Sequence, residues 1–384
     1  MYRIGCIIII IYLSLANSIL ATNVDVRIFS GYNLKTVTVT PLSGKYVVYD
    51  KDKIITSLYK NNTVSLSVSK GKIKITQQGI ELGLFSNLYF SADGFLNTFT
   101  FKPVNPAMTE RVYDDGVTIS VEDSLLKVVN KVEMEHYVAG VVESEGGIKQ
   151  NLEFLKLQAI ISRTYAMSNM HKHLKTDGYN YCDNVHCQVY KGRCINSMIM
   201  MAVSQTSGDV IIDKNKRPIS AAFFSNCGGQ TVNSEDIWAV KTTYLKSVKD
   251  TFCIHQSQAT WEMEISKSEW LKYLDEKFKY PIADSAMKAK ATSFVQKTRK
   301  VNFCDAPLIP LKTIRLDWKL KSSFFSIEDQ GDVLLFTGRG FGHGVGLCQE
   351  GAMHMVDLGW TYKQIIKFYY TDVSIVNISE LKNP

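Results

Sequence analysis

Beyond its first two dozen residues the chain has no apolar run long enough to cross a bilayer, so the part that follows is expected to be soluble. It has no low-complexity segment. Hydrophobic residues at 45% and charged residues at 21% place it among ordinary globular chains, which excludes a disordered or purely linking protein. A dense basic stripe is also missing. The net charge of +7 therefore suits work beside polyanionic material and argues against a nucleic-acid partner. One glycine-rich loop exists, GRGFGHGVGLCQEGA over 338–352, but no Lys-Ser or Lys-Thr follows it and no βαβ pattern surrounds it. A nucleotide site is excluded on those grounds.

What is present begins with MYRIGCIIIIIYLSLANSILATN, which has a basic residue (Arg3), an apolar run from Cys6 to Leu15 and small residues towards Ala21. That pattern predicts a secretory signal over 1–21, either cut or kept as an anchor, and hence a protein exported to the periplasm or cell envelope. Removing it leaves seven of the eight cysteines: Cys182, Cys187, Cys194, Cys227, Cys253, Cys304 and Cys348. An odd number cannot all pair within one chain, so at least one is free or holds a metal. With 384 residues, the chain is expected to be α+β, a mixed core with a cleft and an attached arm.

From Val24 to about Ser120, short stretches such as VDVRIF, KTVTVT, TVSLSV and NTFTFK alternate apolar with polar or β-branched residues between turns. They predict a β-rich N-terminal region over 22–115. A second unit is expected over 116–375, carrying a lysine-rich helical arm at about 255–310, with a short tail over 376–384. In the second unit an apolar segment from Tyr137 to Val142 is followed by Glu143, Glu145 and Gly146-Gly147, and a helix is predicted from near Asn151. An acid on a glycine hinge before a helix suits a group that faces a cleft, although two solvated loop acids would read the same way. Further on, His173, Cys182, His186 and Cys187 group soft sulfur and imidazole donors that suit tetrahedral Zn²⁺, with a disulfide as the alternative. Ser225 and Cys227 lie on a glycine turn after a strand, where a nucleophile or a half-buried cysteine bridged to Cys253 are both open. In the glycine-rich loop the backbone is expected to approach a ligand closely and to present His343 and Gln349 to it.

Taken in order, YVAGVVESE with LKLQAIISRTYA, then FFSNCGGQT with IWAV and YLKSVKD, then GRGFGHGVGLCQEGA with GWTYKQIIKFYY resemble the motifs of the SpoIID/LytB family of exported cell-wall proteins. YCDNVHCQVYKG is similar to a segment that binds zinc in some members. The resemblance covers about residues 115 to 375, departing at Gly146, where many members have Met, and at Cys348, where many have Ser. It implies a murein lytic transglycosylase acting on peptidoglycan glycan strands already stripped of stem peptides, or else a non-enzymatic enhancer of a cell-wall amidase. Carried over by position, it implies Glu145 as the catalytic acid/base and Glu143 as its rival. It also implies Cys182, His186 and Cys187 as ligands of a structural zinc, with His173 the nearest fourth. Arg163, Gln188, Ser225, His343 and Gln349 make up the expected substrate-binding set. A zinc-dependent hydrolase and a Cys227–His343 thiol enzyme are the further possibilities.

Overall fold

The computed structural model describes residues 22–147, 150–238 and 240–381. The expected signal over 1–21 and the last three residues of the tail lie outside them.

Among the described residues the largest unit is an eleven-stranded sheet. Its path runs from Tyr181–Cys182 through Asn23–Arg27, Leu125–Glu133, Gly116–Glu122, Asn87–Asn105, Thr36–Asp50, Val64–Ser69 and Lys72–Gln77 to Ile80–Phe85. The strands have the period-2 pattern that one buried face demands: Val24 and Val26, Val37 and Val39, Leu66 and Val64, Ile73 and Ile75 all point inwards. The α+β class and the β-rich N-terminal region are present. The sheet, however, continues past residue 115, because Gly116–Glu122 pairs with Asn87–Asn105 and Leu125–Glu133 pairs with Asn23–Arg27. The two units share one sheet. Its parallel end strand, Tyr181–Cys182 beside Val26 and Arg27, brings the cysteine-histidine segment to the sheet edge.

Two helices follow the sheet. Helix α1 (Met134–Glu145) is formed by the apolar segment ahead of Glu145, which the sequence pattern alone did not show to be helical. Helix α2 (Leu152–Ser168) starts where predicted, with the Asn151 side chain accepting from Glu153 N–H at 2.9 Å. It is apolar on more than one side, as a helix between two cores must be. Leu155, Ala159 and Ala166 pack into the sheet core, while Phe154, Leu157, Ile160 and Ile161 pack into a second core with Phe224, Leu347, Met355, Ile366 and Tyr369. Tyr369 and Tyr370, at the end of GWTYKQIIKFYY, are core residues.

After a single turn, α3 (Leu174–Asp177), comes α4 (Ser197–Gln205), then the short α5 (Ser234–Trp238). The strand Asp209–Ile212 turns back at 213–217 into a short antiparallel bridge between Ile212 and Pro218, with Ile219 N–H donating to Ile211 O at 3.0 Å. It also pairs with Ser374–Asn377, so the start of the tail is tied into the body. Phe223–Phe224 pairs instead with Leu347–Cys348, in parallel.

The arm has its own core and is not purely helical. Strands Thr260–Ser266, Val333–Arg339 and Phe325–Asp329 form a small sheet packed by α6 (Lys267–Phe278), α7 (Ser285–Thr292) and α8 (Leu311–Asp317) around fully buried Trp270. It reaches past residue 310 because the return strands at 325–339 are needed to pair Thr260–Ser266. The chain closes with α9 (Gln349–Asp357) and α10 (Tyr362–Tyr369).

Candidate functional site

A cleft of about 740 Å³ runs between the end of α1, the 185–189 segment, the 220–224 segment and the glycine-rich loop. Glu145 is the last residue of α1, where the helix stops at Gly146 and Gly147 takes a left-handed φ of 77°. Mid-helix Gly140 permits α1 to approach the neighbouring chain: a Cβ there would lie 2.6 Å from the Tyr190 ring. That closeness lets Val189 N–H donate to Glu145 Oε1 at 2.6 Å. Burial pushes the Glu145 carboxyl up to about 7, and the Val189 bond offsets only part of this. A helix C-terminus, where partial negative charge collects, acts in the same direction. Among the described residues that line the cleft, Glu145 is the one carboxylate.

Glu143 is committed elsewhere. Its carboxylate accepts from the backbone N–H groups of Ile195 at 3.2 Å and Asn196 at 3.0 Å, which fixes the entry to α4. Two residues along a helix is about 200°, so one acid faces the cleft and the other a structural turn.

His173, Cys182, His186 and Cys187 come together, their ligand atoms all within 4.8 Å of one another. His173 Nε2 lies 3.4 Å from Cys187 Sγ, and His186 Nδ1 lies 3.7 Å from Cys182 Sγ and 3.9 Å from Cys187 Sγ. Tetrahedral zinc with bonds of 2.0–2.3 Å needs ligand separations of roughly 3.3–3.8 Å, close to the spacing here. Asp177 Oδ2, 2.9 Å from His173 Nδ1, turns the other ring nitrogen towards the sulfurs, the usual arrangement behind a metal-bound histidine. Asn184 shapes the loop, its Oδ1 accepting from His186 N–H at 3.0 Å. His171 is exposed and outside the group.

The expected substrate-binding set divides. His343 and Gln349 line the cleft with Glu145. Val345 N–H donates to His343 Nδ1 at 3.1 Å and Nε2–H donates to Phe223 O at 3.1 Å, so backbone groups occupy both ring nitrogens. Burial pushes this imidazole down to about 4, and it is neutral. It presents a ring face, flanked by Phe224 and Trp238 with ring centroids at 5.2 Å each. Arg163, Gln188 and Ser225 are not among the residues lining the cleft. Arg163 is 1% exposed and pairs with Glu135 through Nε at 2.8 Å and Nη2 at 2.5 Å, while Nη1 donates to Asp209 O. It ties α1 and α2 to the Asp209–Ile212 strand. Gln188 is buried against Tyr137, and the Ser225 carbonyl accepts from Glu350 N–H.

The glycines at 340, 342, 344 and 346 all have positive φ, and what they approach is the protein itself. A Cβ on Gly340 would lie 2.5 Å from Asn226 O, and one on Gly346 would overlap Ala222 O. The close contact expected with a ligand is a close contact with the 222–228 segment. Cys227 is buried beside Cys253, Asp250 and Cys348, and His343 is spent on the backbone, so no thiol–imidazole pair forms. Trp238 is the cleft residue that spacing did not single out. Its signal was an aromatic in IWAV that stays 42% exposed.

The family model for the Stage II sporulation protein (SpoIID) matches residues 122–212, which hold Glu145 and the cysteine-histidine group. Stage II sporulation protein D of Bacillus subtilis is 30% identical over 274 residues, covering 67% of this chain and 79% of that protein. The chain belongs to the SpoIID family. An uncharacterized protein of Brachyspira hyodysenteriae is 28% identical over 374 residues, 92% of this chain and 95% of its own length. A protein named amidase enhancer, also from Bacillus subtilis, is 28% identical over 292 residues, 62% of this chain and 40% of its own length.

Proposed function

We propose that the protein is an exported lytic transglycosylase of peptidoglycan, cleaving MurNAc–GlcNAc bonds of peptide-stripped glycan strands with Glu145 as its one acid/base. The observation that carries this reading is a single half-buried carboxyl, held protonated up to about pH 7, on an open cleft. Glycosidases that use water place two carboxyl groups about 5–9.5 Å apart across the scissile bond. A transglycosylase needs one, because the sugar's own C6 hydroxyl takes the place of water. Glu145 gives its proton to the glycosidic oxygen as the C1–O bond breaks. The resulting carboxylate then takes the proton of the C6 hydroxyl as O6 bonds to C1, leaving a 1,6-anhydro end and a reprotonated acid. Val189 N–H holds Oε1 throughout, which orients Oε2 for both transfers. Trp238 and His343 offer ring faces to the apolar side of a sugar, and Gln349 a polar group to its hydroxyls.

His173, Cys182, His186 and Cys187 would hold zinc, whose part when bound is to brace the 182–187 loop that supplies one wall of the cleft. Four protein ligands make a closed set without a place for water, which disfavours a zinc-dependent hydrolase. The apolar segment over 1–21 supports export.

The likeness to a protein named amidase enhancer supports a second reading, a non-enzymatic partner that stimulates a cell-wall amidase. Mass spectrometry of products from amidase-treated, peptide-free strands separates the two. Anhydro-ended fragments from wild type and none from Glu145→Gln are the expected result. Fragments from both proteins would remove Glu145 from the chemistry. No fragments from either, with faster amidase turnover on mixing, would replace the enzyme by the enhancer.

A further inference from the structure

A second group of metal-ligating side chains lies behind the cleft wall. Cys227, Asp250, Cys253 and Cys348 converge from three separate stretches of chain, each is 0% exposed, and their ligand atoms all lie within 4.8 Å of one another. From this geometry we propose that the protein binds a second zinc ion, in a buried Cys₃Asp site built by these four residues. The inference does not depend on the proposed reaction.

The distances lie nearer to those of a metal site than to a disulfide. Cys227 Sγ lies 3.3 Å from Cys253 Sγ and 3.3 Å from Asp250 Oδ2. A disulfide closes to about 2.05 Å, whereas tetrahedral zinc holds its ligand atoms roughly 3.3–3.8 Å apart. The composition argues the same way. Three thiols cannot pair off, and a disulfide has no use for a buried carboxylate, which is costly unless it is paired or coordinates a metal.

The surroundings are those of bound thiolate and carboxylate. Cys348 Sγ accepts from Cys227 N–H at 3.3 Å and Gly351 N–H at 3.4 Å, at the N-terminal end of α9. Asp250 Oδ1 accepts from Phe252 N–H at 2.9 Å and Oδ2 from Tyr369 O–H at 2.8 Å, which orients the carboxyl for a metal-facing lone pair. Half-buried Arg299 donates to Cys227 O at 2.7 Å and Gln230 O at 2.6 Å, placing a positive charge against a site that stays anionic with zinc bound. Binding exchanges the thiol protons, released to solvent, for one Zn²⁺; no electron moves. The site is closed and structural. It pins the turn at 225–229, the loop at 250–253 and the start of α9 together, and these carry Phe224, His343 and Gln349 into the cleft.

The test is metal analysis of the full protein purified without chelator, combined with zinc K-edge absorption and intact mass. Two zinc ions per chain are expected, one for each group, with an average of 2.5 sulfur ligands per zinc from two cysteines in one site and three in the other. Cys348→Ser should retain one zinc and a lower sulfur average, and Cys182→Ser with Cys187→Ser should retain one zinc and a higher average. One zinc per chain with two sulfur ligands in the wild type would overturn the proposal, as would a two-hydrogen mass deficit with Cys227 and Cys253 cross-linked. Two zinc ions retained by Cys348→Ser would also overturn it. If that variant fails to fold, the wild-type sulfur average and mass still decide.

Discussion

Replacing Glu145 by Gln should stabilise the protein, and only at higher pH. The carboxyl is raised from 4.5 to about 7 in the folded state because burial penalises its charge. Below pH 4.5 it is neutral folded and unfolded, and it contributes no pH-dependent term. Between the two values the folded state holds a proton that the unfolded state has lost, so folding stability falls as pH rises. Above pH 7 both states are ionised and the full penalty is present. A shift from 4.5 to about 7, at 1.36 kcal/mol per unit, sets that penalty at about 3 kcal/mol as an upper bound. Gln keeps an oxygen to accept the Val189 N–H and carries no charge at any pH. Urea unfolding of both proteins from about pH 4 to about pH 9 should show a stability difference that grows by about 2–3 kcal/mol in favour of Gln, over and above any constant offset. Turnover should vanish in the variant, and in the wild type it should decline above about pH 7 as the acid ionises. A difference independent of pH would refute the reasoning, because the carboxyl would then have an ordinary affinity for its proton.

Glu143→Ala should lower stability by about 1–2 kcal/mol through the loss of two backbone N–H partners, while anhydro-product formation keeps the wild-type pH profile. Arg163→Met takes the buried guanidinium away from half-buried Glu135, which keeps only the Gly208 N–H, and should cost about 1–3 kcal/mol by urea midpoint, with kcat/KM of the folded fraction unchanged. Full stability with lost turnover would instead return Arg163 to the site. Trp238→Ala should raise KM about tenfold with little change in kcat, the equivalent of about 1.4 kcal/mol from a half-exposed aromatic; an unchanged KM would remove the ring from sugar binding.

The sequence by itself determined the local facts: short strands from Val24 onward, a helix starting near Asn151, and a grouping of cysteine and histidine at one place in the chain. These are legible because period and donor chemistry act over a few residues. The ordered motifs also carried the family and singled out Glu145. Only the tertiary structure decided between Glu145 and Glu143, since the two differ in what lies opposite each on α1: the cleft and Val189 for one, the backbone ahead of α4 for the other. It withdrew Arg163 from the cleft, because a motif arginine reads alike whether it meets a ligand or Glu135. It turned the glycine-rich loop from a ligand cradle into a contact with residues 222–228. It also gathered Cys227, Asp250, Cys253 and Cys348, which lie up to 121 residues apart. Coordination and desolvation depend on atoms within a few ångströms, and chain spacing cannot state which distant segments a fold brings that close.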